Sequence, residues 1–427
     1  MSTRTLIERR KQALGPAYYH FFDEPIHLVK GEGVWMWNSD GRKYLDCYNN
    51  VPSVGHCHPR VVDALCKQAG TLNTHTRYLH ENVILVAERL AAKLPGRLSV
   101  CMLVCTGTEA NDLAVQIARR VTGSRGVMVT EASYHGNSDL VGLLSTDGYP
   151  ASERPDWLAV IEPPNLYRGP YREGEADLGG KYAGLAQEGI EGLQGRGHGL
   201  AALMLDPIWD NNGPLVAPPG YVEQLCADTR AAGGLVIADE VQSGYCRTGD
   251  HWWGVRHYDV TPDIVTLGKP MGGGHPIGAV VTTPEIAASF AERTSYFNTF
   301  GGNPVSAAVA LAVMDVIENE NLLENATRVG AYLGAGLRDL AGRHETIGCA
   351  HGRGLFWGLD LVKDAKSREP LSRAELRHIT TLLMQEGILT GTSGRFGNIL
   401  KIRPPLVFSR ENADQALDTL ERVFGRL

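Results

Sequence analysis

Between about residues 80 and 300, short apolar runs bounded by glycine, proline or polar residues alternate with stretches in which apolar residues return every three or four positions. The runs predict strands at Val100–Cys105, Gly126–Val129, Leu203–Asp206, Leu235–Ala238, Ile264–Leu267 and Ala279–Thr282. They are apolar throughout rather than at every second position, as suits strands covered on both faces of a parallel sheet. The longer periodic stretches predict helices at Asn82–Leu94 and Glu109–Val121, the second with Leu113, Ile117 and Val121 on one face. Upstream, residues 34–48 alternate around Asn38-Ser39-Asp40-Gly41, a hairpin signal. Beyond residue 305 the pattern predicts long helices at Val305–Glu318, Glu324–Arg343, Arg373–Glu386 and Arg410–Phe424, with a strand at Gly354–Val362. The fold class expected is α/β: a large domain with a mostly parallel central sheet flanked by helices, plus a smaller α+β domain. The division expected is an N-terminal segment 1–55 joining the small domain, a large domain 56–304 and a C-terminal small domain 305–427.

Composition narrows the class. In 427 residues, 43% are hydrophobic and 21% charged, ordinary values for a globular enzyme. The net charge of −7, without a dense basic run, argues against nucleic acid or an anionic membrane as partner. No apolar stretch approaches the roughly 20 residues that span a bilayer, and the first residues lack the apolar core of a signal peptide. Cys101 and Cys105 sit in apolar runs, so the eight cysteines are expected to be reduced, buried thiols of a cytoplasmic protein. His56-Cys57-His58 lacks the second cluster that a tetrahedral metal site needs, so no metal is expected.

Two of the predicted strands end on residues with complementary chemistry: Asp239 after Leu235–Ala238, and Lys269 after Ile264–Leu267. Parallel sheets present functional groups where their strands end. A lysine and a carboxylate at neighbouring strand ends are what pyridoxal phosphate requires: the amine forms the Schiff base, and the acid keeps the pyridine nitrogen protonated. Thr106, Gly107 and Thr108 lie where a predicted strand gives way to a helix, suiting either a phosphate seat or a plain helix cap. Tyr134, before His135 and Gly136, could stack on a flat ring or serve as a core aromatic. Gln242 could reach a ring hydroxyl or lie in solvent. Thr299, ahead of the helix predicted from Val305, could complete a phosphate site, including one in another subunit.

These motifs, in order, resemble the class III (ornithine/ω-amino-acid type) pyridoxal-phosphate aminotransferases. The likeness is carried by Gly55-His56-Cys57-His58-Pro59, Thr106 to Asn111, Tyr134-His135-Gly136, Asp239 to Gly244, Gly268-Lys269 and Thr299 to Pro304. It implies pyridoxal 5'-phosphate as cofactor and a fold-type I homodimer. It further implies Lys269 as Schiff-base lysine and proton shuttle, Asp239 at the ring nitrogen and Tyr134 over the ring. Gln242 is placed near the ring hydroxyl, and Gly107 and Thr108 at the phosphate with Thr299 of the partner subunit. Leu45 to Val51, Thr76 to Asn82, Tyr167 to Arg172, Lys269 to Gly272 and His275-Pro276 resemble the ethanolamine-phosphate and phosphohydroxylysine phospho-lyase branch.

Two positions bear on the reaction. Arg403 resembles the arginine with which many members clamp a substrate carboxylate, whereas the phospho-lyases carry lysine there; this favours transamination. Where ornithine- and aminobutyrate-type members place a shielding glutamate, the segment Asp206 to Asn211 puts Asn211, which cannot neutralise Arg403 in that way, so a substrate anion is expected either to engage Arg403 throughout or to be met elsewhere. Arg77 is the other candidate for a substrate anion, or forms a surface ion pair. The leading expectation is an aminotransferase passing an amino group from a small amine or amino acid to an oxo acid by ping-pong kinetics through Lys269. The alternative is an amine lyase releasing ammonia and phosphate from an O-phosphorylated amine. Trp35, Trp37, Tyr19, Phe22 and Trp209 are either pocket walls or packing residues, the latter being the simpler reading.

Overall fold

The computed structural model describes residues 3–18, 20–148 and 150–427. Among these, three sheets organise the chain. Strands β1 (Leu28–Glu32), β2 (Trp35–Asn38) and β3 (Lys43–Asp46) form an antiparallel meander. Its β2–β3 turn is built by Asn38, whose Oδ1 accepts the amides of Asp40 (3.1 Å) and Arg42 (2.8 Å), and by Gly41 at φ +82°. This is the hairpin expected from the sequence.

The central sheet contains β4 (Val100–Val104), β5 (Gly126–Thr130), β6 (Leu158–Ile161), β7 (Leu200–Leu205), β8 (Leu235–Asp239), β9 (Ile264–Leu267) and β10 (Gly278–Thr282), in the order β4-β10-β9-β8-β7-β5-β6. Strands β5 to β9 pair in parallel, while β10 runs antiparallel to both β9 and β4. The reversal has a plain cause: the segment 268–277 is too short for the crossover of a dozen or more residues that a parallel return needs. The helix Gly107–Thr122 lies on this sheet through Ala110, Leu113, Ala114 and Ile117, and stops at Gly123 in the left-handed region, φ +70°.

The third sheet, β11 (Ile347–Arg353), β12 (Phe356–Leu361), β14 (Gly391–Ser393) and β15 (Ile399–Ile402), is antiparallel and carries the helix Leu322–Arg343 on one face through Leu333, Leu337 and Leu340. Strand β13 (Ile388–Leu389) instead joins the N-terminal meander, pairing in parallel with β3 at Leu45 and Asp46. The helix Pro304–Asn319 is buried along most of its length. No helix among the described residues is long and apolar enough to cross a membrane.

Of the aromatic residues considered as pocket walls, Phe22 and Trp209 are buried in packing clusters. Trp35 and Trp37 stack under Lys43 and Lys30, and Tyr19 lies outside the described residues.

Candidate active site

Asp239 is the last residue of β8 and is buried. Three donors converge on its carboxylate. The imidazole Nδ1 of His135 and the amide Nδ2 of Asn111 both donate to Oδ2 at 2.8 Å, and the backbone N–H of Val241 donates to Oδ1 at 3.1 Å. Asn111 is itself engaged at both ends of its amide: Nδ2 also donates to the His135 carbonyl (2.8 Å), and Oδ1 accepts from the Thr266 hydroxyl (2.6 Å). The motif ending in Asn111 was legible as a phosphate seat, but its role at Asp239 was not. Asn111 lies one helical turn beyond the first residue of Gly107–Thr122, so a single rigid helix sets both its own N-terminal anion seat and the orientation of Asp239.

At that N-terminus the Thr106 hydroxyl accepts the Glu109 amide at 3.1 Å, which is the plain cap reading of this residue. The first-turn amides of an α-helix have no intrahelical partner and carry the positive end of its dipole, which leaves Gly107 and Thr108 as the anion-facing positions. Gly107 is required by space: a Cβ would come within 2.9 Å of both γ-carbons of Val241. Gly136 is required by conformation, at φ +143°, and lets its loop close on Thr108.

Lys269 follows β9 and is half-buried, with φ +32°, a left-handed conformation that a lysine adopts only when its surroundings impose it. Burial pushes its ammonium below the ordinary lysine range, and Arg403 pushes it further, against the pull of Asp210 and Asp239. Thr106, Gly107, Thr108, Tyr134, His135, Asp239, Gln242 and Lys269 all line one cleft of about 400 Å³, together with Asn111. Thr299, Arg77 and Arg403 are not among its lining residues. Thr299 is exposed, and Arg77 lies on the surface with its guanidinium 3.9 Å from the Phe297 ring centroid, a cation–π contact in place of the ion pair considered.

Arg403 is buried behind Gln242. Its Nη1 donates to Gln242 Oε1 at 2.6 Å and its Nε to the Tyr48 carbonyl at 3.1 Å. A carboxylate does stand beside it, from the position before Asn211: Asp210 Oδ1 lies 3.6 Å from Arg403 Nη1 and 2.8 Å from Lys401 Nζ. Trp209 takes φ +47°, and this turn directs Asp210 inward while Asn211 Nδ2 bonds Ala132 O (2.9 Å) and Asp147 Oδ2 (2.8 Å). Burial alone would raise the Asp210 carboxyl, but Lys401 and Arg403 together hold it below the usual range. Asp206, half-buried, is pushed well above that range by loss of solvent and then by the facing Asp210 and Asp239. Lys401 and Asp210 were not singled out from sequence; the signal available was two basic residues two apart in an otherwise apolar strand. His56 and His58 each pair with a carboxylate, Asp46 at 2.7 Å and Glu320 at 3.0 Å.

The family model for class-III aminotransferases matches residues 19–424. An alanine–glyoxylate aminotransferase 2-like protein of Drosophila melanogaster is 41% identical over 425 residues, covering 98% of this chain and 86% of its own. A phospholyase from Arthrobacter, solved in complex with phosphoethanolamine, aligns at 42% identity with TM-score 0.93, covering 99% of this chain and 100% of that one. An amine transaminase from an uncultivated Pseudomonas species, solved in its pyridoxal-phosphate-bound form, aligns at 28% identity with TM-score 0.86, covering 97% and 98%.

Proposed function

Because this chain belongs to the class-III aminotransferase family, we propose that it is an aminotransferase moving an amino group from a small amine or amino acid to an oxo acid. Its fold is the α/β architecture of fold-type I enzymes, and its cofactor is pyridoxal 5'-phosphate. The residues present fit that group: a helix N-terminus, a buried carboxylate and a half-buried lysine share one cleft. Lys269 would hold it through Nζ, Asp239 at the ring nitrogen, Tyr134 at the ring face and Gln242 at the ring hydroxyl. Gly107 and Thr108 would hold its phosphate, with Thr299 of the partner subunit. The bound cofactor supplies an electron sink for the carbon that bears the transferred nitrogen.

The observation that carries this reading is Lys269. Its ammonium is held below the ordinary lysine range by burial, so the free amine that a proton shuttle needs is more accessible near neutral pH. Three donors converge on the Asp239 carboxylate, and Asn111 and His135 fix its direction. Lys269→Ala should abolish turnover while leaving the fold intact; substantial residual activity would refute the assignment.

A phospho-lyase acting on an O-phosphorylated amine is the second reading, favoured by the likeness to the Arthrobacter enzyme. Arg403 no longer weighs against it, since its guanidinium is occupied within the protein. The two readings part in one assay: holoenzyme with ethanolamine phosphate and no oxo acid. Phosphate and ammonia released over many turnovers identify a lyase. A single change in the cofactor spectrum, without phosphate release and reset by an oxo acid, identifies an aminotransferase.

The reading includes a homodimer. Tyr78 (66% exposed), Leu79 (97%) and Phe300 (70%) are exposed apolar residues, and His75 stacks on Tyr78 and meets Phe297, two residues from Thr299; exposed apolar side chains of this kind are what a subunit contact covers. It also includes a cytoplasmic setting, to which eight unpaired cysteines are suited. Cys101 and Cys105 are only partly covered, not buried as expected from their apolar neighbours.

A further inference from the structure

The carboxamide of Gln242 is bonded on both ends. Its Oε1 accepts from Arg403 Nη1 (2.6 Å) and Asn50 Nδ2 (2.5 Å), and its Nε2 donates to Asp210 Oδ2 (2.8 Å). An amide oxygen has two lone pairs and an amide nitrogen two protons. Both lone pairs are therefore filled and one N–H is spent, leaving a single N–H for the cleft that Gln242 lines. A flipped amide would face Arg403 and Asn50 with donors and Asp210 with an acceptor, three unfavourable contacts in a buried setting. Arg403 is equally committed. Besides Gln242 it bonds the Tyr48 carbonyl (3.1 Å), and it lies between the Tyr48 and Phe356 rings, 5.0 and 5.3 Å from their centroids. Asp210 closes the unit by holding Lys401 with its other oxygen at 2.8 Å.

We propose that Arg403 is a positioning residue: with Asp210 and Asn50 it fixes the Gln242 amide as a one-way hydrogen-bond donor to the cleft, and it does not grip the anionic end of a substrate. This deepens the aminotransferase reading and rests on it, since the acceptor in the cleft is the cofactor's ring oxygen. The consequence for specificity is that a substrate carboxylate is not required for binding at this position. An amine lacking one is handled by the same machinery.

The test is Arg403→Lys, which keeps the charge balance around Asp210 but cannot serve both Gln242 and the Tyr48 carbonyl in a planar fork. Two readouts apply. First, in the substrate-free holoenzyme, the pH midpoint of the bound cofactor's visible absorption should rise, because a donor to the ring oxygen favours its deprotonated form. An unchanged midpoint overturns the proposal. Second, kcat/KM for 4-aminobutyrate and for n-butylamine should fall by the same factor, to within about tenfold. Loss of a charge-assisted clamp costs roughly tenfold or more for the carboxylate substrate alone, so a selective loss of that size overturns the proposal. If neither amine reacts, these substrates fail for the aminotransferase reading, while the substrate-free spectrum still decides the role of Arg403.

Discussion

Asn111→Asp places a second carboxylate where the structure shows a donor. Asn111 Nδ2 stands 2.8 Å from Asp239 Oδ2 in a buried setting, so the new oxygen would face a negative charge at that separation. At an effective dielectric of about 20 the repulsion is roughly 6 kcal/mol, or about 4 pK units. One proton should therefore stay on the pair up to about pH 8, against a carboxyl pKa of about 3.9 in the unfolded chain. A carboxyl pKa raised by folding contributes stability at low pH that is lost as pH rises through the folded value. Between pH 5 and pH 8 the variant should thus lose roughly 4 kcal/mol relative to the wild type. Urea denaturation at several pH values measures that gap. Asn111→Leu is the control: it orphans the Thr266 hydroxyl and the His135 carbonyl at a cost of about 1–3 kcal/mol each, and it removes a donor from Asp239 without adding a charge, so its pH dependence should be the weaker of the two. Bound cofactor after gel filtration should also fall in Asn111→Asp, because Asp239 then shares a proton. Parallel stability curves for wild type and Asn111→Asp would refute the close approach of the side chain at position 111 to the Asp239 carboxylate.

Gly107→Ala should weaken cofactor binding by roughly tenfold or more, the equivalent of one or two charge-assisted hydrogen bonds, since the added Cβ meets Val241 at 2.9 Å and shifts the helix start. Fluorescence titration of the apo-protein measures it, and unchanged affinity would show that the helix N-terminus is not the phosphate seat. Glu240 is wholly buried; burial raises its carboxyl to about 7, against the bonds from Ser243 and from the Gly254 and Val255 amides. The folded protein then binds the extra proton, so this group's contribution to stability should decline as pH rises from about 4.5 to about 7, by roughly 3 kcal/mol. Comparing denaturation of wild type and Glu240→Gln at pH 5 and pH 8 isolates it, and an unchanging difference would contradict it.

The strand pattern was legible where the apolar runs are unbroken. The strand Ile264–Leu267 and the helix Arg410–Phe424 stand at the expected bounds, and Asp239 and Lys269 lie where those runs predicted. The helix Leu178–Gly195 went unpredicted because glycine recurs through it, which weakens helix propensity and blurs its period. Those glycines answer to packing instead: a Cβ on Gly179 would lie 2.2 Å from the Pro219 carbonyl oxygen, and one on Gly189 3.0 Å from Ile161. Strand β6, beside it, was also missed, although it is as long as β9. At the site, the cleft-lining residues were readable because each belongs to a contiguous motif. The Asp210–Lys401–Arg403 arrangement was not, because it depends on the turn at Trp209, whose φ of +47° no residue type announces.

The parallel pairing of β3 with β13 sets an order of events during synthesis. Arg42, in the turn before β3, donates to the Gln385 carbonyl, 343 positions further along the chain. At about 5–20 residues per second, a ribosome needs roughly 20 to 70 seconds to traverse that separation. Throughout that interval the meander of β1, β2 and β3 has been made while the strand that covers its open edge has not. An uncovered edge is a template for pairing with another chain. The nascent protein is therefore most exposed to wrong association at its N-terminal sheet, long after the central sheet has the residues it needs to close.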